Sequence, residues 1–203
     1  MFCVVLFIVY SCFLNHILVT LYEILISCSL SLIIGFLIAS ILWWNNFLAK
    51  VFDPYLTILN SLPKVALGPL IIIWIGASTS SIIAMSLMIS IFITIINLYT
   101  FFNNTDKNYI TLLKSMKASK RQIYEKVILK ANKKNIINTM KVNVSMNLIG
   151  VIMGELLVSK EGIGYLIMYG SQVFNINLVM TSVIILMIIS SLLYYLINYF
   201  EKK

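Results

Sequence analysis

Charge is what this sequence has least of. Only 11% of its 203 residues are Asp, Glu, Lys or Arg, against about 25% in ordinary soluble domains. Hydrophobic residues make up 61%, and the mean hydropathy is +0.99. That much apolar surface cannot be hidden in a soluble core of this size, so the composition excludes a soluble domain and indicates an integral membrane protein. Acids are scarcer than bases, 7 against 15, which leaves a net charge of +8. In a soluble protein such an excess would point to nucleic acid, but no aromatic–basic recognition pattern accompanies it. In a membrane protein it reports orientation, because Lys and Arg are retained on the cytoplasmic side. The single histidine, His16, leaves nothing from which to build a metal set. Cys3, Cys12 and Cys28 contain no CxxC pair and read as packed or lipid-facing thiols. There is no phosphate-cradling GxxxxGK[ST] loop and no nucleophile–base arrangement. The chain is therefore neither an ATPase nor a recognisable enzyme, and no cofactor is expected in it.

What is present is a series of apolar runs long enough to cross a bilayer, for which a helix needs about 20 residues. Residues 1–14 are apolar but short, and either form an additional span or lie at the interface. Asn15 and His16 interrupt the run. A span is expected at about 20–44, ending in Trp43-Trp44, which suits a membrane–water interface. Glu23, near its start, reads as an interfacial carboxylate, with a functional role as the alternative. Residues 45–60 read as a turn and a short helix. In 62–76, LPKVALGPLIIIWIG, the residues Pro63, Gly68 and Pro69 imply a broken or kinked span. Further spans are expected at 82–102, 136–158 and 178–199, with 159–177 as a loop. Asn138, Asn143, Ser145, Asn147 and Glu155 lie in the fourth span. Such residues usually bind helices to one another, and Asn143 and Asn147 are also candidates for a substrate path.

The remaining charge is concentrated in one island, residues 104–134. Nine of the 15 Lys and Arg lie there. Thr105 and Asp106 can cap a first helix carrying Ile110, Leu113 and Met116 at spacing three. Ser119 followed by Gln122 is a capping-box pattern for a second helix, with Ile123 and Val127, and Tyr124 and Ile128, paired at spacing four. Lys-Ala-Ser between them forms the turn. An amphipathic pair of this kind either lies on the anionic inner leaflet or docks a soluble partner. With the island inside, Lys50, Lys64, Lys202 and Lys203 also fall inside and only Lys160 lies clearly outside. Five spans then put the N-terminus outside and the C-terminus in the cytoplasm.

Three segments, in order and spacing, resemble the integral-membrane permease subunits of bacterial ABC importers, most closely the nitrate/sulfonate/taurine-type group. They are LPKVALGPLIIIWIG at 62–76, similar to a Pro-rich broken helix; TLLKSMKASKRQIYEKVIL at 111–129, where that family has its EAA loop; and GELLVSKEGIGYLI at 154–167, similar to its acidic residue followed by GLG. The resemblance covers roughly residues 16–203. By position, the EAA triplet falls on Thr111, Leu112 and Leu113, and the family glycine falls on Lys117. Ala118 and Ser119 are retained, while the later prolines fall on Lys130 and Lys134. Losing the acid removes a cap or an ionic contact, and Lys for Gly costs about 1 kcal/mol if the turn needs a positive φ.

The resemblance implies an all-α polytopic bundle of five to six spans, a single permease domain over 1–203, and a cytoplasmic coupling-helix pair at 104–134. It implies a multi-pass protein of the bacterial cytoplasmic membrane, forming a homodimer or pairing with a sister permease. Its partners would be a separate ATP-binding subunit, docked through Thr111, Leu112, Leu113, Met116, Lys117, Ala118 and Ser119, and an extracytoplasmic substrate-binding protein. Pro63, Gly68, Pro69, Gly162 and Gly164 would shape the kinked span and the outer turn. The cargo would be a small solute of oxyanion, sulfonate or vitamin-precursor class. The competing readings are an ion-coupled secondary transporter, a membrane-embedded enzyme, and a non-transporting or degenerate assembly subunit. An ion-coupled carrier usually shows intramembrane charges and inverted repeats, and no repeat is visible.

Overall fold

Asn45, caught between two helices, sets the first corner of the chain. Its extended backbone ends one helix, and its side chain caps the next by accepting from the amides of Phe47 and Leu48 at 3.0 and 3.3 Å. The computed structural model describes the backbone of residues 2–201 and the side chains of 13–199, and the described chain is helical throughout, without strands. Helix α1 (Phe2–Trp44) runs through Asn15 and His16 without a break. Residues 2–14 thus continue the first span rather than crossing separately, because an unbroken helix crosses once. The side chains of Cys3 and Cys12 lie outside the described residues; Cys28 is a buried free thiol.

Helix α2 (Asn46–Ser61) is amphipathic and buries Ala49 and Leu56. It stops where proline dictates. Leu62, before Pro63, is extended at φ −63° and ψ 142°, because the proline ring disfavours a helical predecessor. A 3-10 turn (Lys64–Leu67) leads into α3 (Gly68–Ile75), which carries Pro69 in its first turn, where a missing N–H costs nothing. The axes of the two parts, Asn46–Ser61 and Lys64–Ile75, differ by 82°, so the break falls at Pro63, while Gly68 and Pro69 lie within the second part. Gly68 lets α3 sit down on the bundle. A Cβ there would come within 2.7 Å of Met85 Cε and 2.9 Å of Leu157 Cδ1.

Helices α4 (Thr79–Asn103) and α8 (Lys133–Val158) form the centre, with α1 packed along both. The charged segment between them comprises α5 (Lys107–Ser115), α6 (Lys120–Ile123), a π-turn (Tyr124–Ile128) and α7 (Leu129–Ala131). Beyond α8, α9 (Ile163–Gln172) and α10 (Ile176–Glu201) close the chain. Residues 159–177, expected as a loop, therefore contain a helix. Among the described residues four helical stretches are long and apolar enough to span a membrane, Phe13–Trp44, Thr79–Asn103, Lys133–Val158 and Ile176–Tyr199; the bent α2–α3 pair, taken as one broken span, brings the number to five.

Lipid tails are as apolar as leucine, so burying leucine does little to hold such helices together; close packing and interhelical hydrogen bonds must. Both are present. Gly150 and Gly154 of α8 face Ser86 and Ile82 of α4, and a Cβ on Gly150 would lie 2.5 Å from Ser86 Cα. Gly35 of α1 abuts Thr94 in the same way. Between these contacts runs a buried polar seam. Asn143 Nδ2 donates to Thr94 Oγ1 at 2.7 Å and to Ser31 Oγ at 2.9 Å. Asn147 Oδ1 accepts from Ser86 and Ser90 at 2.8 and 3.1 Å.

Candidate functional site

The charged island folds as two unequal helices. Asp106 caps α5, its carboxylate accepting from the Asn108 amide at 2.9 Å. Thr105 does not cap. Its buried hydroxyl accepts from Asn132 Nδ2 at 2.7 Å and ties the end of α4 to the start of α8. The Ser119–Gln122 capping box forms as its spacing predicts, with Ser119 N–H donating to Gln122 Oε1 at 2.8 Å and Gln122 N–H donating to Ser119 Oγ at 3.3 Å. Between the helices Lys117 takes φ +59°. The turn is thus made with a lysine in a conformation an L side chain adopts at a cost.

The two helices have different surroundings. After α6 the chain widens to a π-turn, which brings Ile123, Tyr124, Val127 and Ile128 all inward. Tyr124 and Ile128 pack on Phe102, Leu98 and Ala39, and the Tyr124 hydroxyl lies 2.6 Å from Ser40 Oγ. Burial pushes the Tyr124 phenol above its ordinary pKa while the Ser40 bond opposes this, so at neutral pH it stays an uncharged hydrogen-bonding group. Lys120 Nζ donates to the Trp44 carbonyl at 2.5 Å and sits 5.6 and 5.9 Å from the Trp43 and Trp44 ring centroids. Helix α6 and the π-turn are in this way anchored to the end of α1.

Helix α5, by contrast, buries no residue fully. Ile110 packs against the bundle, Leu113 and Ala118 are half-buried, and Thr111 and Ser119 are exposed. Leu112 is 61% exposed, Met116 73% and Tyr109 57%. Tyr109, Leu112 and Met116 follow helical spacing and form one outward apolar stripe. Tyr109 was not singled out from sequence, although its spacing from Leu112 and Met116 was there to be read. Under α5 lies a cavity of about 420 Å³, lined by Trp43, Tyr99, Ile110, Lys114 and Lys120 among others.

The second cluster is at the opposite end of α8. Gly162 has φ +100°, and a Cβ there would come within 2.3 Å of the Glu155 carboxyl. Only glycine fits this position. Gly164 N–H donates to Glu155 Oε2 at 2.6 Å, Ile163 N–H to Thr20 Oγ1 at 2.9 Å, and Gly162 N–H to His16 Nδ1 at 2.9 Å. Thr20 Oγ1 in turn donates to Glu155 Oε1 at 2.6 Å. Three amides at the N-terminus of α9, which a helix cannot satisfy internally, are held by α1 and α8. This is why 163–172 is a helix rather than loop. Glu23, expected at the interface, is instead 1% exposed, beside Glu155 inside the bundle. Sequence placed it near a span end but could not show which way its helix face turned.

Asn143 and Asn147 are fully buried in the seam between α1, α4 and α8, which is the arrangement of groups that bind helices together. Their partners Ser86, Ser90 and Thr94 recur every four residues, a stripe visible in the sequence once α4 is drawn as a helix. Among the described residues, no three His, Cys, Asp or Glu come together as a metal site.

Comparison with known proteins gives this architecture a family. Residues 31–203 match the model of the binding-protein-dependent transport system inner membrane component. An ABC transporter permease protein of Haemophilus influenzae is 30% identical over 91% of this chain and 76% of its own length. The formylaminopyrimidine transport permease protein of Halalkalibacterium halodurans is 29% identical, with 76% of this chain matching 62% of that protein. The nitrate import permease protein of Synechococcus elongatus is 24% identical over 75% of this chain and 54% of its own. The chain thus spans about half to three-quarters of the length of these relatives. Two inward-facing crystal forms of the MetNI methionine ABC transporter contain a chain that superposes with TM-scores of 0.82 and 0.84, at 16% and 17% identity, over 95% or more of both chains. That likeness establishes the fold. The chain belongs to the inner-membrane components of binding-protein-dependent transport systems, the multi-pass permeases of ABC importers.

Proposed function

We propose that this chain forms the translocation pathway of an ATP-driven importer, as a homodimer or with a sister permease, and docks a separate ATP-binding subunit through α5. The observation that carries the reading is the outward stripe Tyr109, Leu112 and Met116 on a helix whose other face, turn and neighbour are fixed to the bundle. An exposed apolar helix face suits a helix-in-groove contact. Three of the predicted coupling residues fall on or beside that stripe: Thr111, Leu112 and Met116. Leu113, Lys117, Ala118 and Ser119 build the turn behind it. Lys117 at positive φ supports the reading, because the turn survives the loss of its glycine. Motion of an ATPase at α5 would be transmitted through α6 and the π-turn, which grip the ends of α1 and α4, to the spans. That is the physical content of coupling, one two-state element biased at both ends.

In this reading the coupling pair and the C-terminus lie in the cytoplasm, where the nine basic residues of the island satisfy the positive-inside rule. The Gly162–Gly164 turn then faces outward, beneath a substrate-binding protein. Asn143 and Asn147 serve the bundle rather than the path. The cargo belongs to the classes named for the relatives, a small oxyanion such as nitrate or a vitamin precursor such as a formylaminopyrimidine, or to the related sulfonates. The test is uptake into proteoliposomes holding the permease, its ATPase and its binding protein, offered nitrate, an alkyl sulfonate and a formylaminopyrimidine. ATP-dependent accumulation of one of them is expected. Accumulation driven by an ion gradient without ATP would overturn the reading in favour of a secondary carrier.

A further inference from the structure

At the α9 end of the bundle two acids meet where one charge is already well used. Glu155 is 1% exposed, and its two oxygens accept from Thr20 and from the Gly164 amide. Glu23 is one turn along α1 from Thr20, on the same face, and it too is 1% exposed. Its carboxyl lies against that of Glu155, and neither of its oxygens has a hydrogen-bond donor. Among the described residues, neither acid has a salt-bridge partner. Ile24, Cys28, Ile82 and Val151 supply the nearby apolar packing. The described titratable groups at this end are His16 and Cys28 on α1, Lys160 and Glu161 in the turn, and Tyr165 on α9, whose ring lies tilted 5.9 Å from that of His16. From α4, the uncharged Ile82 packs on this cluster. The His16 ring accepts the Gly162 amide through Nδ1, so that nitrogen is committed to the turn.

Two carboxylates side by side at 1% exposure cannot both stay charged without a positive partner. We infer that Glu23 and Glu155 form a binding site for one small positive charge, a proton or a monovalent metal ion, which joins α1 to the α8–α9 turn. The occupant supplies what the described groups lack, a donor or cation for the Glu23 oxygens, and lets Glu155 remain the anion that holds the N-terminus of α9. Because Thr20, Glu155 and His16 together hold the Gly162–Gly164 turn, occupancy of this site sets the rigidity of that turn. Neither the family's transport activity nor the coupling helices enter the argument, so it stands or falls separately from them.

The experiment uses the full-length permease purified in nanodiscs. Its thermal unfolding midpoint is recorded from pH 5 to pH 9 in choline chloride, then in NaCl and in KCl at the alkaline end. The sign follows from linkage. The native site holds a positive charge that the unfolded chain, with its ordinary solvated carboxyls, does not retain, so native protein binds more protons and stability falls as pH rises. A fall at high pH that Na⁺ and K⁺ leave unchanged identifies a proton; a fall that one of them reverses identifies that ion. The variant Glu23→Gln has one acid fewer and brings its own donor for Glu155. It should lose both the alkaline fall and any ion effect. Infrared difference spectra on the unmutated protein supply a readout that does not depend on the variant folding, since a protonated carboxyl has a carbonyl band that vanishes on titration. A midpoint independent of pH and of both ions, with no such band, would overturn the inference. So would an unchanged alkaline fall in Glu23→Gln.

Discussion

At the residue scale, backbone conformation says more about this chain than side-chain identity does. Two positions with φ in the left-handed region illustrate opposite solutions. Gly162 is glycine because a Cβ would strike the Glu155 carboxyl. Lys117, at φ +59°, is not glycine, and the chain bears the strain. Lys117→Gly should therefore stabilise the turn between α5 and α6 by about 0.5–1 kcal/mol, less whatever entropy the more flexible unfolded glycine takes back. Hydrogen exchange of the amides at Lys117 and Ala118 reads it directly. These donate to Lys114 and Leu113 carbonyls at 2.9 and 3.0 Å, so slower exchange is expected in the variant. Faster exchange would mean that the lysine makes a compensating contact.

At the scale of elements, the three central helices are held by small polar groups rather than by large apolar ones. Asn147 joins α8 to α4 through Ser86 and Ser90 and to α1 through Ser31. Asn147→Ala orphans those hydroxyls and should cost about 1–2 kcal/mol of bundle stability, measured as a lower unfolding midpoint. If the residue serves the bundle, the KM for transported solute should stay near that of the unmutated chain; a raised KM with unchanged stability would return Asn147 to the substrate path. Elements of this kind were largely legible in the sequence. The caps at Asp106 and Ser119 and the break at Pro63 follow from local chemistry that a short window contains. What was not legible depended on distant partners. Helix α9 exists because Thr20 and His16, over 140 residues away in sequence, accept its first amides. Glu23 turns inward because it shares the face of α1 that carries Thr20 toward Glu155. Hydropathy places a carboxylate along a span but not around it.

At the scale of the whole molecule, the bundle has two working ends joined by the α1–α4–α8 core. One carries the Glu155 cluster and the glycine turn; the other carries α5, α6 and the π-turn. Helix α10 is the least enclosed of the spans, with Met180, Ile184, Met187, Ile188 and Leu192 all exposed, as suits a helix facing lipid or another permease subunit. The account turns on whether α5 presents its outward stripe to an ATPase. The most direct measurement is copurification from membranes after co-expression with a candidate ATP-binding subunit of the same genome, comparing the unmutated chain with Leu112→Asp and Met116→Asp. Both side chains are exposed, so the variants should remain folded and elute as single species like the parent. The account predicts that the unmutated chain brings the ATPase with it and that each aspartate abolishes or sharply weakens that association. An ATPase retained equally by the parent and both variants would contradict the docking claim.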